Sequence, residues 1–289
     1  MKLSLGLPKG SLEEATFALF NKAGIHIRKG ERSYFPTSDD FELDLIIMRP
    51  QEIPRYVEKG ILDAGISGQD WVAENNARVE TVTVLNYSKN SRATCKWVLA
   101  VPEDSTFKKP QDLRGKWIAT ELTAVTKRYF TRKKVPVIVE FSWGATEVKP
   151  PRLVDAIVDL TETGSSLRAN RLRIIDVIME TSTVLIANKK AWQIREKRDK
   201  LENLTMLLQG TLAAENFVGL KCNVEAKNLE KVLKVLPALH NPTISSLSDK
   251  GWHAVETILH FYDTKHIIPQ LKRAGASGIV EYPVSKVIG

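Results

Sequence analysis

Apolar residues follow two spacings that alternate along most of the chain. Continuous apolar runs such as 3–7 and 43–48 are typical of strands that are covered on both faces. Between these runs, apolar residues recur every three or four positions, as from Leu12 to Ala23, which predicts a helix that ends at Gly24. Strands that alternate with amphipathic helices predict an α/β fold with mainly parallel sheets.

Three of the predicted strands end at polar loops. Lys9 follows the first strand, Arg49 follows the second, and the stretch 67–70, which contains Gly68 and Asp70, follows the third. In an open α/β sheet, ligands bind outside the carboxyl ends of the strands. Each of these residues alone would be an ordinary surface or capping residue, but their repeated position predicts a shared ligand cleft.

The most distinctive stretch runs from residue 155 to residue 170. A short apolar strand ends at Asp159, and a loop of hydroxyls around one glycine follows it: Thr161, Thr163, Gly164, Ser165, Ser166 and Leu167. Backbone N–H groups at a helix start, together with hydroxyls, favour an anion such as a phosphate. Gly164 permits backbone angles that other residues resist, and Asp159 can accept hydrogen bonds from sugar hydroxyls.

An ordinary capped turn explains the same loop equally well on local chemistry. Thr, Ser and Gly are common in strand–turn–helix connections. The residues alone therefore leave two interpretations open, a site for a phosphate attached to a ribose and a turn with a capping serine.

The last part of the chain has a different order of elements. Between residues 217 and 282 the pattern predicts a strand, a helix, two strands, a helix and a strand. This is the ferredoxin-like βαββαβ order. Because the segment holds no obvious catalytic cluster, we interpret it as a separate regulatory or assembly domain.

Composition narrows the class of protein. The chain has 289 residues, of which 43% are hydrophobic, and no apolar run approaches the ~20 residues that a membrane span needs. The first residues lack the pattern of a secretory signal, so we expect a cytoplasmic protein without membrane contact. Cys95 and Cys222 are far apart in apolar stretches, which predicts two buried free thiols rather than a disulfide or a zinc site.

The net charge of +8 suits a polyanionic substrate but also nucleic acid. The densest basic run, residues 127–134, fits the end of a helix, where cations favour the dipole. The chain shows no helix-turn-helix, zinc-finger or RNA-binding aromatic signature, so we do not expect a nucleic-acid partner.

Four segments together resemble one enzyme family. The segments 7–12 (LPKGSL), 63–70 (DAGISGQD), 147–148 (EV) and 153–170 (LVDAIVDLTETGSSLRAN) are similar to those of ATP phosphoribosyltransferase, the first enzyme of histidine biosynthesis. The tail from about residue 213, with PTI at 242–244 and AGA at 274–276, resembles the extra domain of the long form of that family. The sequence departs from the family at Arg171, where glycine is usual. Residues 149–151 (KPP) also differ from the usual sequence of their loop.

The resemblance implies two periplasmic-binding-protein-like lobes with a cleft between them, followed by a C-terminal ferredoxin-like (ACT-like) domain. The first lobe would comprise 1–94 and 182–212, the second lobe 95–181, and the regulatory domain 213–289. A two-lobed solute-binding protein or a ligand-sensing regulator would share the cleft, and is the alternative interpretation.

The resemblance also implies the chemistry. The family condenses ATP with phosphoribosyl pyrophosphate (PRPP) and Mg²⁺, and it releases pyrophosphate. Lys9 and Arg49 would face pyrophosphate or triphosphate oxygens, the loop from Thr161 to Leu167 would hold the 5′-phosphate of PRPP, and Asp159 would hold the ribose hydroxyls. Gly68, Asp70 and Glu147 would lie near the nucleotide, and the ligands of the metal stay unassigned.

Regulation is implied for the long form as well. Its tail implies feedback inhibition by L-histidine and a homo-oligomer in a dimer–hexamer equilibrium. Thr243, Ala276 and Ser277 are the expected histidine contacts, because loops beside a β-ladder offer backbone groups to an amino acid. An interpretation of these three as simple turn residues is equally open.

Overall fold

The computed structural model describes residues 2–87, 95–236 and 241–288. The chain divides into two compact units, and both predicted lobes lie largely in the first of them. The first unit comprises Met1–Ala18 and Ile25–Thr205, and the second comprises Leu19–Gly24 and Met206–Gly289. The predicted boundaries of three domains stay predictions.

The first part of the chain alternates strands and helices as the apolar pattern predicts. In chain order its elements are β1 (Leu3–Pro8), α1 (Glu13–Ala23), β2 (Ile27–Arg28), β3 (Thr37–Ser38), β4 (Leu43–Met48), α2 (Ile53–Glu58), β5 (Ala64–Gly68), α3 (Gln69–Glu74) and β6 (Glu80–Leu85). The next elements are β7 (Cys95–Pro102), β8 (Trp117–Thr120), α4 (Thr123–Arg132), β9 (Ile138–Phe141), β10 (Ala156–Thr161), α5 (Ser165–Ala169), β11 (Leu172–Thr181), β12 (Thr183–Ala187), α6 (Lys189–Gln193) and α7 (Arg195–Ala214).

The first sheet has the strand order β4-β1-β5-β12-β6. Strand β1 runs parallel to both β4 and β5, and Pro8 pairs with Met48 at the carboxyl end. Leu5, Leu7 and Ile66 are fully buried in these strands, as their continuous apolar runs require. The carboxyl ends of three neighbouring strands therefore meet at one edge, where the polar loops begin.

The second sheet has the order β11-β7-β10-β8-β9. Strands β8, β9 and β10 are parallel, whereas β7 is antiparallel to β10 and β11. Its core is built from apolar side chains that include Trp97, Leu99 and Phe130. Strand β11 leaves this sheet, and β12 joins the first sheet after the single residue Ser182.

Helix α3 joins the two sheets within the first unit. Trp71 packs against the core of the second sheet. The Glu74 carboxylate accepts hydrogen bonds from the backbone N–H groups of Ala124 and Val125, both at 2.8 Å, and from the Thr123 hydroxyl at 3.2 Å. These are the first N–H groups of α4, which have no acceptor inside their own helix. A side chain from one sheet therefore caps a helix of the other.

The second unit contains the predicted βαββαβ order. Its elements are β13 (Phe217–Glu225), α8 (Leu229–Val235), β14 (Thr243–Ser246), β15 (Trp252–His260), α9 (Thr264–Arg273) and β16 (Ser277–Pro283). The sheet order is β14-β15-β13-β16, with antiparallel neighbours. Leu220, Val232 and Leu271 are buried between the sheet and its helices.

Two details differ from the sequence-based expectation. Cys222 is buried, but Cys95 is partly exposed, so only one of the two thiols is a core residue. Arg171 has a φ of +54°, in the left-handed region that favours glycine. This positive φ explains why glycine is the usual residue at this position. Among the described residues, no helix is long and apolar enough to cross a membrane.

Candidate active site

Lys9 and Arg49 lie side by side at the carboxyl edge of the first sheet. They follow the paired residues Pro8 and Met48, and the Lys9 N–H donates to the Met48 carbonyl at 2.8 Å. Arg49 is exposed and Lys9 is half-buried. Two cations that end adjacent parallel strands provide a positive edge for phosphate oxygens.

Tyr34 belongs to the same edge, although no sequence pattern predicted it. Lys9 Nζ donates to the Tyr34 hydroxyl at 2.7 Å, and this hydrogen bond lowers the pKa of Tyr34. The charges of Lys29 and Arg49 lower it further. The Tyr34 carbonyl accepts from the Ile47 N–H at 2.8 Å, which fixes this irregular loop against β4. No periodicity or motif could have marked a residue in such a loop.

Asp70 is buried, with only 4% of its surface exposed. Its carboxylate accepts from Trp97 Nε1 at 2.7 Å and from the Trp71 N–H at 2.9 Å, and its own N–H donates to the Thr181 hydroxyl at 3.1 Å. Burial raises the pKa of this carboxyl. Both oxygens are engaged, so in this arrangement Asp70 shapes the wall of the cleft and holds Trp97 in place.

Gly68 leaves room for that arrangement. A Cβ atom at Gly68 would lie 2.0 Å from Asp70 Oδ1, so Gly68→Ala must displace the Asp70 side chain and its bond to Trp97. We expect this change to lower the free energy of unfolding by about 1–3 kcal/mol and to alter tryptophan fluorescence. Urea denaturation followed by fluorescence measures both. Gly30→Ala is the matched control, because its Cβ would lie 3.7 Å from the nearest atom. Equal stability of the two variants would contradict this role of Asp70.

The predicted phosphate loop connects β10 to α5. Gly164 has a φ of +72°, and its N–H donates to the Thr161 hydroxyl at 2.7 Å. The Thr163 hydroxyl donates a hydrogen bond to the Ser165 hydroxyl at 3.1 Å. In the first backbone hydrogen bond of α5, the Arg168 N–H donates to the Gly164 carbonyl at 3.1 Å. The N–H groups of 165–167 consequently have no acceptor inside the helix, and Ser165 and Ser166 are exposed while Leu167 is buried.

Asp159 ends the apolar part of β10 and is half-buried. Its Oδ1 accepts from the Leu160 N–H at 2.8 Å. Burial raises the pKa of Asp159 to about 6, and the nearby carboxylates of Glu147 and Glu121 contribute to the rise. Asp159 is therefore the point of the second sheet at which the charges of Glu147 and Glu121 both act.

Glu147 reaches this point from a single helical turn, Thr146–Val148. A hydrogen bond of 2.8 Å between the Ser142 and Thr146 hydroxyls holds the turn. Glu121 comes from the end of β8 and was not predicted as a site residue. Burial raises the pKa of Glu121, while a hydrogen bond from Gln51 and the charge of Arg49 oppose the rise. The rule that polar residues at strand ends approach a ligand could have found Glu121, since it directly follows β8.

A cavity of about 360 Å³ lies at this point. Gln51, Glu121 and Asp159 are among its polar lining residues, and Trp71, Tyr87 and Trp97 contribute aromatic side chains. Gly68 and Asp70 also line it. Its volume falls in the range of small-molecule sites, which are roughly 300–1,000 Å³.

The three expected histidine contacts are not all brought together within one chain. Thr243 begins the exposed strand β14, whereas Ser277 begins β16, and these are the two edge strands of their sheet. Two strands separate them, which corresponds to roughly 14 Å. Ala276 is buried beside Ser277, whose hydroxyl donates to the Asn223 carbonyl at 3.4 Å.

Comparison with known proteins identifies the family. The model of the ATP phosphoribosyltransferase family matches residues 49–210, and that of the HisG C-terminal domain matches 214–286. The ATP phosphoribosyltransferase of Koribacter versatilis (strain Ellin345) is 58% identical over 288 residues, and that of Solibacter usitatus (strain Ellin6076) is 57% identical over 288 residues. Each alignment covers 100% of both chains.

A solved structure agrees with these sequence matches. One chain of the ATP phosphoribosyl transferase (HisG:HisZ) complex from Thermotoga maritima is 28% identical, with a TM-score of 0.62 over 72% of this chain and 98% of that chain. The predicted fold class, two periplasmic-binding-protein-like lobes with a C-terminal βαββαβ domain, is confirmed. The protein described above belongs to the ATP phosphoribosyltransferase family.

Proposed function

We propose that the cavity beside Asp159 is where this ATP phosphoribosyltransferase of histidine biosynthesis joins ATP to PRPP. The observation that carries this assignment is the position of Asp159. It lines the cavity and directly precedes the hydroxyl loop. Gln51, which follows Arg49 by two residues at the end of the first sheet, lines the same cavity. Ribose hydroxyls on Asp159 would put the 5′-phosphate towards the loop and C1 towards the cavity.

The loop then anchors the 5′-phosphate of PRPP. The N–H groups of Ser165, Ser166 and Leu167 have no acceptor inside α5, and the Thr163, Ser165 and Ser166 hydroxyls are exposed beside them. Thr161 has a different role. Its hydroxyl already accepts a hydrogen bond from the Gly164 N–H, which stabilises the shape of the loop.

The chemistry is a displacement at C1 of the ribose. The lone pair of adenine N1 forms a bond to C1, while the bond from C1 to the pyrophosphate oxygen breaks and its electron pair leaves with pyrophosphate. Positive charge develops on the ribose, and the carboxylates of Asp159 and Glu147 stabilise it. Negative charge grows on the leaving group, where Lys9 and Arg49 neutralise it. The protein contributes mainly positioning and charge, and no side-chain nucleophile is needed.

In this scheme Mg²⁺ would bind mainly to the substrate phosphates. In the described part of the chain, no group of three or more His, Cys, Asp or Glu side chains could hold a metal ion. Mg²⁺ commonly binds through substrate phosphates and one or two carboxylates, keeping several waters. It would supply further neutralisation of the pyrophosphate charge, and we assign it no cage of protein ligands.

Inhibition by L-histidine and homo-oligomer formation, from dimer to hexamer, remain part of the proposal. The C-terminal βαββαβ unit supports a regulatory role, and Thr243 and Ser277 lie on opposite edges of its sheet. One histidine that touched both residues would have to lie between two chains. We place the enzyme in the cytoplasm, where ATP and PRPP are available to it.

An ultraviolet absorbance assay with ATP, PRPP and Mg²⁺ tests the reaction. We expect product only when all three are present, and less product when L-histidine is added. Absence of product with the purified full chain would overturn the assignment of the site. Product formation that histidine does not reduce would remove the regulatory part alone.

A further inference from the structure

One carboxylate that lines the cavity, that of Glu121, has no part in the proposed mechanism. Glu121 is half-buried, follows β8, and lines the same cavity as Asp159. Its charge interacts with those of Asp159 and Arg49. In the proposed site, Asp159 binds the ribose and Arg49 faces the pyrophosphate. Glu121 therefore flanks the place where the bond between C1 and adenine N1 forms.

Gln51 lies with Glu121 in the wall of the cavity. The Gln51 side-chain amide opposes the rise in the pKa of Glu121 that burial causes. Gln51 Oε1 is itself buried and has no partner among the described residues. The Gln51 backbone is held by Asn75 Nδ2, which donates to its carbonyl at 2.9 Å. A buried acceptor without a partner destabilises a fold, and such a cost is common at functional sites.

The rest of the cavity suits a flat aromatic ligand. Trp71, Tyr87 and Trp97 line it, and the Trp71 and Trp97 rings meet edge to face with centroids 6.1 Å apart. Asp70 holds the Trp97 ring by its Nε1–H. Rigid aromatic walls with a few oriented polar groups are typical of sites for a planar base.

We propose that the Glu121 carboxylate binds the 6-amino group of adenine and that Gln51 is its positioning residue. This inference rests on the proposed function of the cavity. A carboxylate is acceptor-only, so it selects a base with an exocyclic N–H donor and rejects a base with a carbonyl at the same position. Contact at the amino group leaves the N1 lone pair free for C1.

The same contact assists the reaction. Adenine gains positive charge when N1 bonds to C1, and the charge spreads to the 6-amino nitrogen. The hydrogen bond from that N–H to the Glu121 carboxylate becomes stronger as the charge develops, so it stabilises the transition state more than bound ATP. Glu121 thereby supports both the choice of base and the rate.

Comparison of ATP with purine riboside 5′-triphosphate, which lacks the 6-amino group, tests the proposal. Release of pyrophosphate is measured for the full-length enzyme and for Glu121→Gln, with Mg²⁺ and PRPP. We expect Glu121→Gln to lower kcat/KM for ATP about 100-fold, and to lower it for the analogue by less than about threefold. The ratio between enzymes cancels the intrinsic difference in N1 reactivity between the two bases.

Gln51→Leu separates positioning from folding. It removes the donor to Glu121 together with the unpartnered Oε1, so we expect unchanged or higher stability but a loss of preference for ATP over the analogue of about tenfold. Glu103→Gln is the control for the charge change, because Glu103 is an exposed residue of the second lobe outside the cavity.

Each outcome decides a different question. Equal losses for ATP and the analogue in Glu121→Gln would overturn the proposal, as would unchanged kinetics with both. A weaker Kd for PRPP, measured by calorimetry, with an unchanged preference for ATP would instead assign Glu121 to the ribose. A wild-type enzyme that makes no product from ATP would refute the proposed function of the cavity rather than the role of Glu121.

Discussion

Asp159→Asn is expected to remove nearly all activity while it makes the folded protein more stable at neutral pH. Asp159 is half-buried, and burial together with Glu147 and Glu121 raises the pKa of its carboxyl to about 6. The charged form is therefore disfavoured in the folded state, although the ribose hydroxyls and the cationic transition state need it. Asparagine keeps the shape but loses the charge, so we expect kcat/KM for PRPP to fall at least about 100-fold.

The stability effect has a definite pH dependence. The folded protein binds a proton at Asp159 more tightly than the unfolded chain does. The group therefore lowers stability progressively between about pH 4, where it ionises in the unfolded chain, and about pH 6, where it ionises in the folded protein, and by a constant amount above pH 6. Asparagine removes that cost, which is on the order of 2 kcal/mol at pH 7.5. The gain should shrink as the pH falls from 6 towards 4, because the carboxyl then becomes neutral in the unfolded chain as well as in the folded protein.

Two measurements check this prediction. Urea denaturation at pH 7.5 and at pH 4.5 gives the difference in unfolding free energy, and steady-state kinetics between pH 5 and 8 give kcat/KM for PRPP. In the wild type we expect that kcat/KM to fall about tenfold for each pH unit below 6. Glu140→Gln, a carboxylate of the same sheet outside the cavity, is the control. An Asp159→Asn variant that is both fully active and no more stable would contradict the assigned environment of Asp159.

The sequence predicted the elements that depend on local patterns. Continuous apolar runs specify β1 and β4, and the Thr-x-Thr-Gly loop after Asp159 specifies the turn into α5, because Gly164 supplies a positive φ there. The rule that ligands lie beyond the ends of parallel strands predicted a shared cleft for Lys9 and Arg49, and the strands that precede them are neighbours in parallel register.

The parts that were missed depend on contacts between distant segments. Tyr34 meets Lys9 from an irregular loop, and Gln51 and Glu121 line one cavity from different sheets. Asp70 looked like a ligand-facing acid, yet Trp97 and Trp71 occupy its oxygens. No local spacing shows which of several acids at strand ends the other sheet will cover. The buried acids can be told from the ligand-facing acids only once the fold is known.

Lys9→Ala is expected to lower kcat/KM by about 100-fold or more without unfolding the protein. Lys9 is half-buried at the end of β1, and its ammonium contacts the Tyr34 hydroxyl rather than a core group, so its removal leaves no unpaired charge inside the protein. The interaction that is lost is the one with the leaving pyrophosphate, whose negative charge grows in the transition state. We therefore expect a larger effect on kcat than on the KM for ATP.

Steady-state kinetics and thermal unfolding measure this effect in Lys9→Ala and in three further variants. Lys9→Arg keeps the charge and should retain much more activity than Lys9→Ala. Tyr34→Phe removes the hydroxyl that orients the Lys9 ammonium, so its loss should be smaller, about tenfold. Lys108→Ala, which removes an exposed lysine of the second lobe, should behave as the wild type. If Lys9→Ala kept the wild-type kinetics, Lys9 would be excluded from the site, and Arg49 would be left to neutralise the leaving group from the first sheet.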